Sequence, residues 1–236
     1  MSEIVLAGLV TAAVFLSQYL IDNRRAEREA RRDERSVLVQ TLNSTQTLNG
    51  ADFSGADLSD LTLLAKSFRQ TNFSDAELRN TTLSGSDLAG ANLTGAVIED
   101  GLLGCAQNPT FYTRGSGDQA VDPLLSNTEL CVDFTRAVLR NTTIDRSQLP
   151  AADLSGSDLT DATITSTNLS NARFMCLPTS AGELCPKLDH ARLQQVDLRG
   201  AVFGRHVDLR STLLTDVCWD EATVWPADFD VPVASC

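Results

Sequence analysis

The side chains best suited to chemistry are few in this sequence: it has six cysteines and two histidines among 236 residues. No Cys-x-x-Cys pair or neighbouring histidine completes a tetrahedral zinc set. No Ser-His-Asp arrangement, Cys-His pair or phosphate-binding loop is present either. The sequence therefore predicts a protein that is not an enzyme and that has no catalytic residue, cofactor site or metal site.

Acidic side chains are the next candidates, because 31 Asp and Glu oppose 19 Lys and Arg for a net charge of -12. Phosphate binding needs clustered Lys and Arg, so this balance argues against nucleic acid as a direct partner. Residues 1–35 hold equal numbers of acids and arginines, so the net charge belongs to the remainder. There the carboxylates alternate with Ser and Thr at regular intervals, which indicates a structural repeat and not a catalytic pair.

The amino-terminal segment predicts a membrane anchor. Residues 4–21 read IVLAGLVTAAVFLSQYLI and carry no formal charge. As a helix they span roughly 27 Å, close to the ~30 Å hydrocarbon core of a bilayer. We therefore predict a transmembrane helix within residues 1–21 that contacts membrane lipid. A signal peptide and a soluble packing helix are the alternatives, although the start Met1-Ser2-Glu3 lacks the basic residues of a signal peptide.

Residues 22–45 predict a charged juxtamembrane helix, since they contain Arg–Glu pairs at i, i+4 and neither Gly nor Pro. The alternative to lipid contact is a solvated spacer helix. By the positive-inside rule, the arginine run places the following chain in the cytoplasm of a bacterial cell. Five arginines on one side are the candidates for contact with anionic lipid headgroups: Arg24, Arg28, Arg31, Arg32 and Arg35.

From residue 46 the apolar residues recur every five positions. Twenty-nine quintets cover residues 46–105, 132–176, 186–205 and 207–226, and the third residue of each is apolar. The first residue is mostly small and the second is often acidic or an amide. Each quintet therefore turns one large and one small side chain inward and three outward. A helix or a flat strand cannot maintain this pattern, whereas a coil with equivalent sides that stacks turn on turn can.

The pattern Ala-(Asp/Asn)-(Leu/Phe)-x-x, as at Ala51-Asp52-Phe53 and Ala91-Asn92-Leu93, resembles the pentapeptide-repeat family. The resemblance covers residues 46–226 and implies an all-β fold, a right-handed quadrilateral β-helix of about seven coils. The segment TVWPADF (223–229) resembles the closing motif of that family and precedes a tail, residues 227–236. Leu61 and Lys66 depart from the pattern at small inward positions, and we expect Lys66 to snorkel to solvent.

Two insertions interrupt the repeat, residues 106–130 and 177–184, and cysteines flank both. A loop that leaves a solenoid must rejoin it near its departure point, so the fold itself brings each pair together. We predict the disulfides Cys105–Cys131 and Cys176–Cys185, with Cys218–Cys236 holding the tail. Six free thiols in a reducing cytoplasm are the alternative. Disulfides indicate an oxidising compartment, which conflicts with the arginine run; the cost of moving six arginines across a membrane favours the cytoplasmic side slightly.

The first insertion is the one segment with the composition of a recognition loop, since Phe111, Tyr112 and Arg114 stand beside Gly115-Ser116-Gly117. A surface loop without a binding role is the alternative.

Together these features predict a non-enzymatic, membrane-anchored solenoid that acts as a protein-interaction scaffold. The family resemblance implies an alternative, an acidic rod that mimics duplex DNA and binds or protects DNA gyrase. A third reading is a disulfide-stapled structural module outside the cytoplasm. The partner classes left open are an unidentified protein, membrane lipid through residues 4–21, and a second copy of the chain in a homo-oligomer.

Overall fold

A computed structural model describes residues 35–106, 130–227, 229–234 and 236 of the chain. The chain divides into two compact units, Met1–Ser44 and Thr45–Cys236. In the first unit an α-helix covers residues 35–44. The predicted transmembrane segment 4–21 and residues 22–34 lie outside the described residues. No helix within the described part is long and apolar enough to cross a bilayer, so the predicted long N-terminal helix is supported only over residues 35–44.

The second unit is a four-sided solenoid built from parallel ladders. Thr47 pairs with Ser67 and Ser67 with Asp87, so corresponding residues of successive coils stand 20 positions apart. Four quintets therefore complete one coil, and three further ladders repeat the arrangement on the other sides. The seven coils that result are residues 46–65, 66–85, 86–105, 132–151, 152–171, 172–176 with 186–200, and 201–221.

Regular strands are short because each side of a coil is only a few residues long. On one side the pairing forms a five-stranded parallel sheet in the order β1-β4-β5-β9-β11. Two antiparallel pairs, β2 with β3 and β7 with β8, form the bases of the two insertions. The strands are β1 (Val97–Glu99), β2 (Cys105–Ala106), β3 (Leu130–Cys131), β4 (Thr143–Asp145), β5 (Thr163–Thr165), β6 (Arg173–Phe174), β7 (Leu177–Thr179), β8 (Gly182–Leu184), β9 (Arg192–Gln194), β10 (Val202–Phe203) and β11 (Leu213–Thr215).

The corners of the coils are tight turns with a left-handed residue at the fifth position of the quintet. At a typical corner the amide of Ala51 donates to the carbonyl of Leu48 at 3.2 Å, and Gly50 between them has a φ of 68°. This is the geometry of a type II turn, whose third residue needs a positive φ. All sixteen non-glycine residues with positive φ also stand at fifth positions, among them Asp60, Asn80 and His190.

The third residues of the quintets form the core, as the repeat predicts. Phe68, Phe73 and Phe134 are fully buried, and rings stack between coils, with the centroids of Phe53 and Phe73 5.5 Å apart. Small first residues fill the remaining space. Where these are Ser or Thr, the buried hydroxyl donates to a carbonyl of the preceding coil, as Thr142 Oγ1 does to Leu93 O at 2.8 Å. Such bonds satisfy polar groups that would otherwise be buried at a cost.

The prediction for Lys66 was wrong. Its side chain does not reach solvent: the residue is 6% exposed, and Nζ donates to the carbonyl of Thr45 at 2.8 Å. The position is an inward one that the repeat normally gives to a small residue. The lysine fits because the neighbouring first coil presents a backbone acceptor inside the solenoid.

The register of the last quintet was also wrong. The sequence predicts Ala222 and Val224 as the inward residues, but Val224 is 50% exposed and pairs with Val202 on the outer surface. Thr223 points inward and donates to Leu198 O at 3.0 Å, and Trp225 stacks on Phe203 with ring centroids 5.3 Å apart. One residue more than the repeat allows therefore precedes this quintet.

Candidate interaction surface

The outward residues of the solenoid are the second, fourth and fifth of each quintet, and they form four faces. We number the faces in the order in which the chain crosses them. The second residues of coils 1 to 7 identify each one. Face 1 has Thr47, Ser67, Asp87, Asp133, Asp153, Arg173 and Val202; face 2 has Asp52, Asn72, Asn92, Val138, Asp158, Lys187 and Asp208; face 3 has Asp57, Glu77, Val97, Thr143, Thr163, Arg192 and Leu213; face 4 has Thr62, Thr82, Leu102, Gln148, Asn168, Asp197 and Cys218.

Face 3 is the most acidic of the four. The formal charges of its outward residues sum to four negative units. They are the carboxylates of Asp57, Asp60, Glu77, Glu99, Asp100, Asp145 and Asp216 and the guanidinium groups of Arg79, Arg146 and Arg192.

Two arginines organise the middle of face 3. Arg146 Nε donates to Asp100 Oδ1 at 2.9 Å, and the same guanidinium also bonds to Asp145. Arg79 bonds to Glu99 in the same way. The hydrogen bond from Arg146 holds the pKa of Asp100 below its usual value, and hydrogen bonding to Asp100 raises the pKa of Arg146. These pairs are about half exposed, so they fix side-chain positions more than they stabilise the fold.

Face 2 carries a smaller negative excess. Six carboxylates oppose three bases there: Asp52, Asp75, Asp158, Asp161, Asp189 and Asp208 against Arg140, Lys187 and Arg210. Burial opposes ionisation of Asp158, but hydrogen bonds from Thr160 and Arg140 outweigh it, so the pKa of Asp158 is lowered. The side chain and backbone of Arg210 lower the pKa of Asp208 to about 2.

Face 1 is nearly neutral, and the two insertions leave the solenoid at its two edges. Three aspartates and four arginines lie on it: Asp87, Asp133, Asp153, Arg69, Arg136, Arg173 and Arg205.

Face 4 differs from the others because its outward residues in coils 1 to 5 include no charged side chain. Two leucines are half exposed within this stretch, Leu64 at 47% and Leu102 at 50%. Charge returns only in coils 6 and 7, with Asp197, Arg199, Asp220 and Glu221. The fifteen uncharged residues are Thr62, Leu64, Ala65, Thr82, Ser84, Gly85, Leu102, Gly104, Cys105, Gln148, Pro150, Ala151, Asn168, Ser170 and Asn171.

Disulfide bonds close both insertions and the tail. They join Cys105 to Cys131, Cys176 to Cys185, and Cys218 to Cys236, the same three pairs that the sequence predicts. In the first two pairs the cysteines lie at the base of an antiparallel strand pair, where the chain leaves and rejoins the solenoid.

A glycine of the preceding coil underlies each insertion. A Cβ on Gly85 would lie 2.6 Å from Ala106 Cβ and 3.0 Å from Leu130 O, and one on Gly156 would lie 2.8 Å from Leu177 Cδ1. Both glycines stand 20 residues before the cysteine that opens the insertion. Sequence reasoning missed them, although that spacing was available as a signal.

The second insertion also contacts the residue that shifts the repeat register. His206 Nδ1 lies 2.6 Å from Glu183 Oε2 in β8, and both side chains are exposed. The extra residue in coil 7 therefore supports the hairpin of the insertion. Cys176, Glu183 and Cys185 also come close together, but the two sulfur atoms share a disulfide and are not thiolates for a metal.

The carboxyl-terminal end of the solenoid is closed by aromatic rings. Trp225 lies between Phe203 and Phe229, with ring centroids 5.3 and 5.5 Å away. Trp219 packs edge-on against Trp225, and its indole nitrogen donates to the carbonyl of Pro232 at 2.9 Å. The aromatic residues of the predicted closing segment thus continue the core stack beyond the seventh coil.

Other predicted site residues lie outside this picture. Phe111, Tyr112 and Arg114 of the first insertion, and Arg24, Arg28, Arg31 and Arg32, lie outside the described residues, whereas Arg35 lies in the helix over residues 35–44. A shallow, open depression lies between faces 3 and 4, lined by Gln195, Val196, Asp197, Asp216 and Cys218. It contains two carboxylates but no histidine or free thiol, so it lacks the groups of a nucleophilic site.

Comparisons with known proteins concern the repeat. Residues 67–100 match the family model of pentapeptide repeats, in eight copies. A search of curated proteins gave no match. Among solved structures, HetL, a pentapeptide repeat protein involved in heterocyst differentiation regulation from Nostoc sp. strain PCC 7120, is 16% identical over 79% of this chain and 77% of its own, with a TM-score of 0.38.

Two further structures show similar levels of identity. Full-length QnrB1, a plasmid-mediated fluoroquinolone resistance protein, is 16% identical over 76% of this chain and 92% of its own, with a TM-score of 0.39. A pentapeptide repeat protein of the Arabidopsis thaliana thylakoid lumen is 20% identical over 70% of each chain, with a TM-score of 0.16. Residues 67–100 are therefore pentapeptide repeats, and the hydrogen-bonded ladders continue the same five-residue unit into the coils on both sides.

Proposed function

We propose that this chain is a non-enzymatic, membrane-anchored solenoid that holds a basic protein partner on face 3. The observation that carries the proposal is the concentration of carboxylates on that face, with a net charge four units negative. Arg79 and Arg146 neutralise only part of this charge, while they fix several carboxylates in place. An ordered acidic face of this kind steers a basic surface toward it and sets its orientation.

The anchor in the proposal is the apolar segment 4–21, which is long enough to cross a bilayer as a helix. Arg24, Arg28, Arg31 and Arg32 follow it and suit contact with anionic headgroups. An anchored rod would present its faces at a membrane surface and confine its partner there.

Two matched variants test the role of face 3. Asp57→Asn, Asp60→Asn and Glu77→Gln together remove three negative charges from face 3. Asp52→Asn, Asp75→Asn and Asp161→Asn remove three from face 2. Asn preserves the turn in which the side chains of Asp52 and Asp57 accept from the amides of Ser54 and Ser59, so neither change should unfold a coil.

The measurement is quantitative cross-linking of the full-length chain in membranes of its native host. We expect the face 2 variant to retain the cross-linked partner and the face 3 variant to lose most of it. Equal retention by both variants, or equal loss, would overturn the assignment to face 3. A wild-type chain that yields no reproducible partner would overturn the proposed function itself.

We further propose that the solenoid lies on the oxidising side of the membrane. Support comes from the three disulfides, which leave no free thiol among the six cysteines, since such bonds persist outside the reducing cytoplasm. The arginine run favours the opposite orientation, but that rule is a bias set by loop charge and is less direct than the bonding of every cysteine.

Mimicry of duplex DNA, with a gyrase or topoisomerase as partner, is the second candidate function. The net charge of -12 favours it. The distribution opposes it, because a duplex carries phosphate all around, whereas face 1 is nearly neutral and face 4 is uncharged over five coils. Inhibition of gyrase supercoiling by the purified chain is the test, and no effect at about micromolar protein would remove this function.

A further inference from the structure

We propose that face 4, over coils 1 to 5, is a contact surface for a second copy of this chain. The proposal does not rest on the partner of face 3, because it concerns the purified chain alone. The observations are the absence of charge from this face, its two half-exposed leucines, and the acidity of the other sides.

The repeat geometry does not explain why face 4 lacks charge. All four faces have the same outward positions, and in coils 1 to 5 faces 1, 2 and 3 carry five, five and eight charged side chains at those positions. Face 4 carries none among its fifteen. Nothing in the backbone of these ladders prevents a lysine or glutamate there, as Glu77 on face 3 shows at a position equivalent to Thr82. The composition is instead that of a surface that becomes covered, since burial of an unpaired charge is costly.

Electrostatics favours a second copy as the occupant. Two identical acidic rods repel each other wherever carboxylates meet, and face 3 against face 3 would bring together two surfaces that are each four units negative. Face 4 is the side on which two copies approach without placing like charges together over coils 1 to 5. Desolvation also costs least there, because the side chains are small, hydroxylated, amide or apolar.

The shape of the face suits a symmetric contact. Leu102 lies in coil 3, the middle of the five uncharged coils, and is 50% exposed. With a two-fold axis in the interface plane through coil 3, Leu102 meets its own counterpart whether the two solenoids run parallel or antiparallel. The neighbours Thr82, Ser84 and Gly104 are small enough to let the faces approach closely. Asp220 and Glu221 lie in coil 7, beyond the uncharged region.

The area of the face limits the strength of the contact. Coils are spaced as strands are, so five of them extend about 20 Å along the solenoid, and three outward residues extend about 10 Å across it. Two copies would therefore bury only about 500 Å², well under the 1,200 Å² of a stable complex. We expect a weak dimer that forms with rising concentration and not an obligate one.

The test compares two leucines at equivalent positions on different faces. Leu102→Glu places a charge at the centre of face 4, and Leu213→Glu places one on face 3, where the leucine is exposed to a similar degree, 53%. Both are second residues of their quintets, so both substitutions leave the backbone ladder intact. Thr82→Glu and its face 3 control Thr163→Glu repeat the comparison with a smaller side chain.

Sedimentation equilibrium of the full-length chain in a non-ionic detergent, up to about 1 mM protein, measures the association. We expect wild type, L213E and T163E to dimerise alike, and L102E and T82E to bind at least about tenfold more weakly, because like charges then face each other. An equimolar mixture of L102E and L102K should recover the dimer.

Three results would overturn the proposal. The first is a wild-type chain that stays monomeric at about 1 mM, which would leave face 4 to a different uncharged partner. The second is an L102E chain that dimerises as well as L213E. The third is an equal weakening by L102E and L213E, since this would report net charge and not the face. Circular dichroism of each variant must match wild type, so that loss of folding is not read as loss of contact.

Discussion

The fifth residue of each quintet decides whether a corner of the solenoid forms without strain. Gly50, Gly55 and Gly90 adopt positive φ at no steric cost, whereas Gln70, Ala65 and Ala151 hold the same conformation with a Cβ present. The cost of such a residue is about 1 kcal/mol or more. A minority of strained corners is tolerated because the ladders on both sides fix the backbone.

Gly85 has a second constraint, and this predicts a large effect of substitution. Gly85→Ala would place a Cβ 2.6 Å from Ala106 Cβ and 3.0 Å from Leu130 O, at the base of the first insertion. We expect the free energy of unfolding to fall by about 2–4 kcal/mol, from backbone strain and overpacking together.

Gly50→Ala is the matched control for this prediction. Gly50 has a φ of 68° against 69° at Gly85, but nothing lies within 4 Å of its added Cβ. The control should cost only about 1 kcal/mol. Equal losses in urea denaturation would mean that the first insertion does not pack on Gly85.

Lys66 predicts an unusual dependence of stability on pH. Burial lowers its pKa from the usual 10.5, so between the folded pKa and 10.5 the unfolded chain binds a proton that the folded chain has released. Stability therefore rises with pH across that interval. Lys66→Met removes the titration and the buried charge.

The Lys66→Met chain should be more stable than wild type near neutral pH by about 1 kcal/mol, since burial of the ammonium group is unfavourable and its single bond to Thr45 O compensates only in part. The difference should shrink as pH approaches about 10. Urea denaturation of both chains between neutral and alkaline pH measures this. A difference that stays constant with pH would show that Lys66 titrates normally.

At the scale of coils and insertions, the five-residue period was enough to predict the four-sided stack, the inward columns and the cysteine pairs. It failed where local contacts replace the repeat. The shift that brings Trp225 into the core depends on stacking with Phe203, which no spacing encodes. The burial of Lys66 depends on a carbonyl of the adjacent coil. The contact of His206 with Glu183 likewise joins segments that only the folded solenoid brings together.

The two insertion disulfides should differ in their contribution to stability. Cys105 and Cys131 close a segment of 26 residues, and Cys176 and Cys185 one of 9. In the chain-entropy model, removal of the first bond costs about 3.5 kcal/mol and of the second about 2.7 kcal/mol. Paired Cys→Ser variants, compared by urea denaturation without reductant, test this. A larger loss from the shorter segment would mean that the second hairpin stabilises the solenoid directly.

At the scale of the whole molecule, the four faces divide the surface by charge. The net charge of the chain was predictable, but its segregation was not noticed from the sequence, because the quintets must first be sorted into coils before the charges of one side can be added. Sorted in this way, face 3 is acidic and face 4 is uncharged over five coils. The rod therefore has different surfaces for different contacts, which fits a protein that binds others and does no chemistry.

The central claim is a solenoid closed by disulfides and held outside the cytoplasm. The most direct measurement is mass-spectrometric mapping of the cysteines, with free thiols blocked at lysis, in protein taken from its native host. The account predicts three linked peptide pairs, Cys105–Cys131, Cys176–Cys185 and Cys218–Cys236, with no blocked thiol at any of them. Free thiols at Cys105, Cys131, Cys176 and Cys185 would contradict it and return the solenoid to the cytoplasmic side.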